Sequence, residues 1–463
     1  MKATGIPLIL VLALVTSCAP AATIAPTLSV RPSSTPRPTG TPIATRTPAP
    51  LTPTMTFPAP NPAYSLLTVG LQAVAVSDDD GEHTAHITAK QVNQWDDQAN
   101  KIFAKASVRF IYDPHLDFAT LKSTVLNDMS GDSDANWLGE VDVANQVAAG
   151  YPGRVVVLFT YGPGKGPEGG GFSWSDYNFV KMPGFNIDRA CGYQDISLLA
   201  HEIGHYFGLS HPFAEIFPSL QAAESYFSAH GNNPEIFDGD GLSDTPPDPF
   251  INTPEFECEP VQSVTLNGRV FPLPRTDIMS YYGPPAALTD LTPQQSNIVR
   301  LVLELRAKNG MATPTNLGVP GAIDFATLPI EKTVDMSPSV QGMSTFGDVP
   351  RWSGDKQLFS NAQPNSVIGF SVSVGGAGKY QLNLYATMAP DYGKIQTLVD
   401  GSPLGPAIDL YAPIVLPSGR IPIGTIDLAA GTHALSFRVV GKNAASINYS
   451  VGLNAFTLTA GQG

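Results

Sequence analysis

The chain has 463 residues, among them 43 glycines, 43 prolines, eight histidines and three cysteines, and carries a formal net charge of −14. That length exceeds one small core and suggests two or three units of about 150 residues each. The acidic balance offers no cationic footprint for gripping phosphates, so nucleic acid is not expected as a partner, and it suits a soluble or surface-tethered protein.

The first residues have the layout of an export signal: Lys2, the apolar run IPLILVLALV and the small-residue end TSCAP. The run is too short for a stable membrane span. Val15 to Cys18, VTSC, resembles the bacterial lipobox, which implies cleavage before Cys18 and a lipid on it. The alternative is an ordinary secretory signal in which Cys18 is lost. The expectation is a signal over 1–17 and an exported chain, lipid-anchored through Cys18 to the cell membrane or outer membrane, on its extracytoplasmic side. Residues 18–62 are rich in Pro, Thr, Ala and Ser and cannot bury a core, so they read as an extended stalk. In an oxidising compartment Cys191 and Cys258 form a candidate disulfide.

Folded patterning starts near Ser65. LLTVGLQAVAV reads as a strand, and Thr88 with Gln91 as a capping box opening the helix AKQVNQWDDQANKIFAKA. SVRFIYD and RVVVLFTYG read as further strands, the second a continuous apolar run suited to a central strand covered on both faces. GEVDVANQVAAG between them reads as a helix, and the alternation predicts a mixed α/β unit over 63–310. The glycine-rich GPGKGPEGGGFSWSDYNFVKMPG lacks the Lys-Ser or Lys-Thr ending of a phosphate loop. It reads as a flexible loop entering an edge strand that could pair with an extended peptide. Residues 311–345 read as a linker, and the short apolar runs of 346–463, spaced by turn residues, as an all-β sandwich.

The chemistry concentrates in HEIGHYFGLSH, residues 201–211. On a helix His201 and His205 share one face and can bind a single ion, while Glu202 can reach a water on that ion. Gly208 can end the helix and let the chain turn to bring in His211. Three neutral imidazoles at a tetrahedral ion leave one position open, as catalytic zinc requires. A bare HExxH is a modest signal; Gly208 and His211 at these steps make it specific. His83, His86, His115, His230 and His433 lack such spacing and read as surface or core residues.

The stretch resembles the metzincin zinc peptidases, whose HExxHxxGxxH is followed by a Met-turn. DIMSYYG fits the second element: the resemblance implies Met279 beneath the metal and Tyr281 binding the ion or supporting an oxyanion. Taken alone, Met279 would read as a core methionine. FDGDGLSDTPPDP and LTPQQ are similar to the pappalysin branch, and the whole resemblance spans about residues 65–308. It implies a candidate calcium site at Asp238, Asp240, Asp244 and Thr245, against the alternative of a solvated Asp/Gly turn. The chain departs from that branch in its few cysteines and in Asp277, where many relatives have asparagine. The C-terminal unit resembles galactose-binding-like jelly rolls, with Trp352, Tyr380, Tyr392 and Tyr411 as stacking candidates or buried core aromatics.

The expected architecture is thus an α+β (mixed α/β) metzincin-like zinc peptidase domain followed by a jelly-roll sandwich. The expected function is a zinc-dependent hydrolase, a metalloprotease, acting on a peptide or protein through Glu202 and Tyr281, with a candidate glycan ligand for the sandwich. The alternatives are a surface glycan-binding adhesin with a degenerate peptidase domain and a hydrolase of a non-peptide amide.

Overall fold

The computed structural model describes residues 63–129, 137–161, 171–184, 196–282, 288–347 and 349–460. The chain divides into two units, Met1–Met55 and Thr56–Gly463, and every described residue belongs to the second. The signal, Cys18 and the stalk lie outside the described residues.

A parallel sheet organises the first part. Strand β1 (Leu67–Ser77) pairs with β2 (Val108–Ile111) along its first half and β3 (Phe118–Lys122) along its second. Its other edge pairs with β4 (Arg154–Thr160), which in turn pairs with β5 (Phe179–Pro183). The period of two in β4 explains the layers. Val155, Val157 and Phe159 enter one core with α1 (Ala89–Phe103), while Val156 and Leu158 enter another with α3 (Trp137–Ala149), which follows the short α2 (Thr124–Asn127). α1 opens on the expected Thr88–Gln91 capping box.

The first core also takes in α4 (Leu198–Tyr206), which carries HEIGHY, and Val299, Val302 and Leu303 of a long helix, Pro293–Ala307. Between these two helices lie α5 (Leu220–Ala229), α6 (Pro254–Cys258) and the hairpin of β6 (Ser263–Leu266) and β7 (Arg269–Pro272). They close over a cluster rich in phenylalanine that includes Phe213, Phe227, Phe237 and Phe271. The long helix is α7. Cys258 is disulfide-bonded, and Cys191 lies outside the described residues.

Two antiparallel sheets form the C-terminal sandwich. One orders Ser339–Gly342, Lys356–Ser360, Val451–Ala460, Gly378–Met388 and Ile421–Leu428; the other orders Gly393–Val399, Gly431–Lys442, Val367–Val374 and Ile330–Val334. Residues 323–342, expected as linker, supply strands to both sheets. Ile330–Val334 is exposed at every position, so it lacks the apolar alternation by which a strand is read from sequence. Trp352 and Tyr392 are core residues here: the Trp352 indole N–H donates to Thr387 Oγ1, and the Gln357 amide donates to the Tyr392 hydroxyl. Among the described residues no helix is long and apolar enough to cross a membrane.

Candidate metal centre

α4 is buried at every position from Leu198 to Tyr206, which sets two imidazoles and a carboxylate inside the protein. At its end Gly208, with φ +88°, donates its N–H to the His205 carbonyl, and Leu209 donates to the Gly204 carbonyl. This is a Schellman turn with glycine in the left-handed position, and it redirects the chain toward His211. The Nε2 atoms of His201, His205 and His211 then face one another at 3.0–3.2 Å.

Tautomers follow from the opposite ring nitrogens. His201 Nδ1 lies 2.7 Å from the Ile278 carbonyl and His205 Nδ1 lies 2.8 Å from the Leu209 carbonyl. A carbonyl only accepts, so each Nδ1 carries the proton and each Nε2 keeps its lone pair. Burial pushes His205 down to about 4, against the opposing carbonyl bond, and His211 down to about 3, with His205 adding to the effect. Converging neutral nitrogens suit zinc, which takes imidazole at about 2.0–2.1 Å. Among the described residues this is the one group of three or more His, Cys, Asp or Glu able to hold an ion.

Glu202 is 4% exposed, and the backbone of Gly171 lies against it: a Cβ added there would sit 2.6 Å from Glu202 Cγ. Gly171 leads into Phe172, which forms an antiparallel bridge with Lys181 of β5 through bonds of 3.0 and 2.9 Å. The stretch expected to be a flexible loop thus passes directly by the carboxylate. Lys181 is fully buried; desolvation lowers it to about 8, against the attraction of Glu202.

Met279 is fully buried below α4, and a methyl group on Gly204 would run into its sulfur. Its N–H donates to Asp277 Oδ1, while Gln295 of α7 donates to Asp277 Oδ2. The Tyr281 ring lies 5.5 Å from that of His201 and 4.7 Å from that of His211. Of the positions singled out in sequence, His201, His205, His211 and Tyr281 therefore come together, while Met279 packs against Gly204 of α4 and Glu202 is buried on that helix. Asp238 accepts from Gly241 N–H, Asp240 from Leu242 N–H and the Thr245 hydroxyl, and Asp244 from Gln294 N–H.

Two aromatic neighbours escaped the sequence reading. Phe213 stacks on His211 at 4.7 Å and 6°, and Trp174 lies 5.4 Å from His205. Phe213 follows the motif by two residues, but Trp174 stands in the glycine-rich segment, where nothing local signals a histidine as neighbour.

No family profile and no curated protein matches the chain. Similar solved structures include a Paenibacillus xanthan lyase (22% identity, TM-score 0.27, covering 32% of this chain and 14% of the lyase). Another is a Podospora anserina GH26-CBM35 β-(1,4)-mannanase (10%, TM-score 0.23, 31% and 29%). A third is a family 35 carbohydrate binding module from Clostridium thermocellum (14%, TM-score 0.22, 31% and 100%). The chain spans only a minor part of the first two. Contrary to the expected metalloprotease labels, the similar structures named here are a carbohydrate-binding module and glycan-active enzymes.

Proposed function

We propose that this protein is an exported, surface-anchored hydrolase of peptide bonds that works through a zinc ion held at the histidine cluster. The observation that carries the reading is the convergence of three imidazole Nε2 atoms, two of them with their lone pairs fixed by carbonyls at the opposite nitrogen, on a helix that also carries a buried carboxylate. Zinc, when bound, supplies a Lewis acid that polarises the scissile carbonyl and makes water a stronger acid. His201, His205 and His211 hold it, and the Ile278 and Leu209 carbonyls fix the first two rings. Glu202 takes a proton from water and passes it to the leaving amine. Tyr281 stands beside the cluster to donate to the carbonyl oxygen as charge develops there.

A second reading, a surface glycan-binding protein, is suggested by the names of the similar structures. The two combine in one chain if the sandwich holds a glycan while the histidine centre cuts peptide. Of the four aromatic candidates, Tyr380 and Tyr411 keep partial exposure and are the ones available to a sugar.

The deciding experiment measures zinc per chain and cleavage of a mixed peptide library by the parent and by Glu202→Gln. The expected outcome is one zinc in each, with hydrolysis falling at least about 100-fold in the variant. A folded parent that takes up no zinc would refute the proposal. Zinc-loaded protein that cleaves no peptide but is retained by a glycan array would leave the second reading in its place.

A further inference from the structure

Three aromatic rings belonging to Trp174, Phe213 and Tyr281 approach the histidine cluster, and they differ in what they leave open. Phe213 is 6% exposed and spent on packing, stacked between His211 and Phe250. Tyr281 is partly buried against Phe213 and Phe250. Trp174 is 46% exposed while its ring lies 5.4 Å from His205 at 42°. Tryptophan is strongly buried on average, so nearly half an indole left open beside a candidate reaction centre asks for an occupant.

The segment that bears it is fixed rather than loose. Phe172 is paired to Lys181 on both of its backbone groups, and Ser173 is buried with its hydroxyl donating to the Phe179 carbonyl. Tyr177 N–H returns to the Trp174 carbonyl, while the Ser175 carbonyl accepts from Arg306 and the Thr313 hydroxyl. Among residues 171–178 Trp174 is the one that is exposed, the others being buried or partly buried. The same segment begins at Gly171, against Glu202. A peptide whose scissile bond lies beside Glu202 therefore brings a flanking side chain within reach of the indole.

We propose that Trp174 is a specificity-determining residue, a preformed platform that selects a large apolar or aromatic side chain flanking the scissile bond. This rests on the hydrolase reading. Offset stacking on a fixed ring adds to the area buried, and it costs little entropy because the platform is already ordered.

The test compares the zinc-loaded full chain with Trp174→Ala and Trp174→Phe. Cleavage of a peptide library reports preference, and calorimetry with a phenylalanyl and a glycyl hydroxamate reports binding without catalysis. Trp174→Ala should lower kcat/KM for aromatic-flanked sites about tenfold relative to small-residue sites, with zinc retained, and Trp174→Phe should restore most of the preference. The same variant should weaken the phenylalanyl hydroxamate about tenfold and leave the glycyl one unchanged. Equal preferences and equal hydroxamate ratios in parent and Trp174→Ala would overturn the proposal. So would loss of zinc from Trp174→Ala, which would make the indole a cover for His205. If the parent cleaves nothing, the hydrolase reading fails, and the hydroxamate ratio still decides what Trp174 selects.

Discussion

His205 presents its lone pair because the Leu209 carbonyl holds its Nδ1 proton, and Leu209 stands there because Gly208 turns the chain with φ +88°. A side chain at that position costs about 1–2 kcal/mol in backbone strain. Its Cβ would also meet Ile414 Cδ1 at 2.8 Å. Gly208→Ala should therefore lower both Tm and zinc affinity, read by thermal melts with and without a chelator; an unchanged zinc affinity would sever the turn from the site. Asp248 makes a separate prediction. It is fully buried, accepts from the Tyr282 hydroxyl at 2.7 Å, and burial, reinforced by Asp277, raises it from 3.8 to about 7. The folded chain then holds a proton that the unfolded chain releases, so stability falls with rising pH across that window. This contribution is fully present below 3.8 and lost as pH passes about 7. Asp248→Asn should flatten that part of the Tm–pH curve and raise Tm at pH 8, and a curve parallel to the parent's would contradict it.

Among the elements, α4 meets the edge segment where Gly171 lies against Glu202. α1 was legible because Thr88 and Gln91 cap it and its apolar spacing is helical; β4 was legible because it is apolar throughout. The edge segment was not, since glycine there looks the same whether it permits flexibility or close approach. Structure favours close approach, because Glu202 fills the space a side chain would need. Gly171→Ala should keep zinc and depress hydrolysis about ten- to a hundredfold by displacing Glu202. Parent-like kcat/KM at full zinc occupancy would mean that Glu202 has room to shift.

In the whole molecule the sandwich is wired into the first part. Asn316, fully buried, donates to the Ala386 carbonyl and accepts from Gly419 N–H, while its own N–H goes to Arg351. The Asp176 carboxylate accepts from Val349 N–H, two residues from Trp174. Ile414 of the sandwich packs on the core that holds α4 and α7. Ile414→Asp places a carboxylate against that core and should cost about 2 kcal/mol or more while weakening zinc binding. Melting and metal titration of the full chain check it, and an effect confined to the sandwich would show the seam to be passive.

The convergence of His201, His205 and His211 was legible in sequence, because a helix and a glycine turn fix their geometry within eleven residues. Strands β1, β2 and β4 were likewise written in their apolar runs, whereas β3 and the parallel pairing came from the structure. Tertiary structure decided the remainder. Trp174, Phe213 and Gly171 reach the site by packing across elements, a relation that no local period records. The strands between 323 and 342 exist because backbone pairing at a sheet edge needs no apolar pattern. The sandwich meets the first part where Ile414 packs on the core of α4 and α7 and where Val349 N–H reaches Asp176, contacts between residues far apart in the chain.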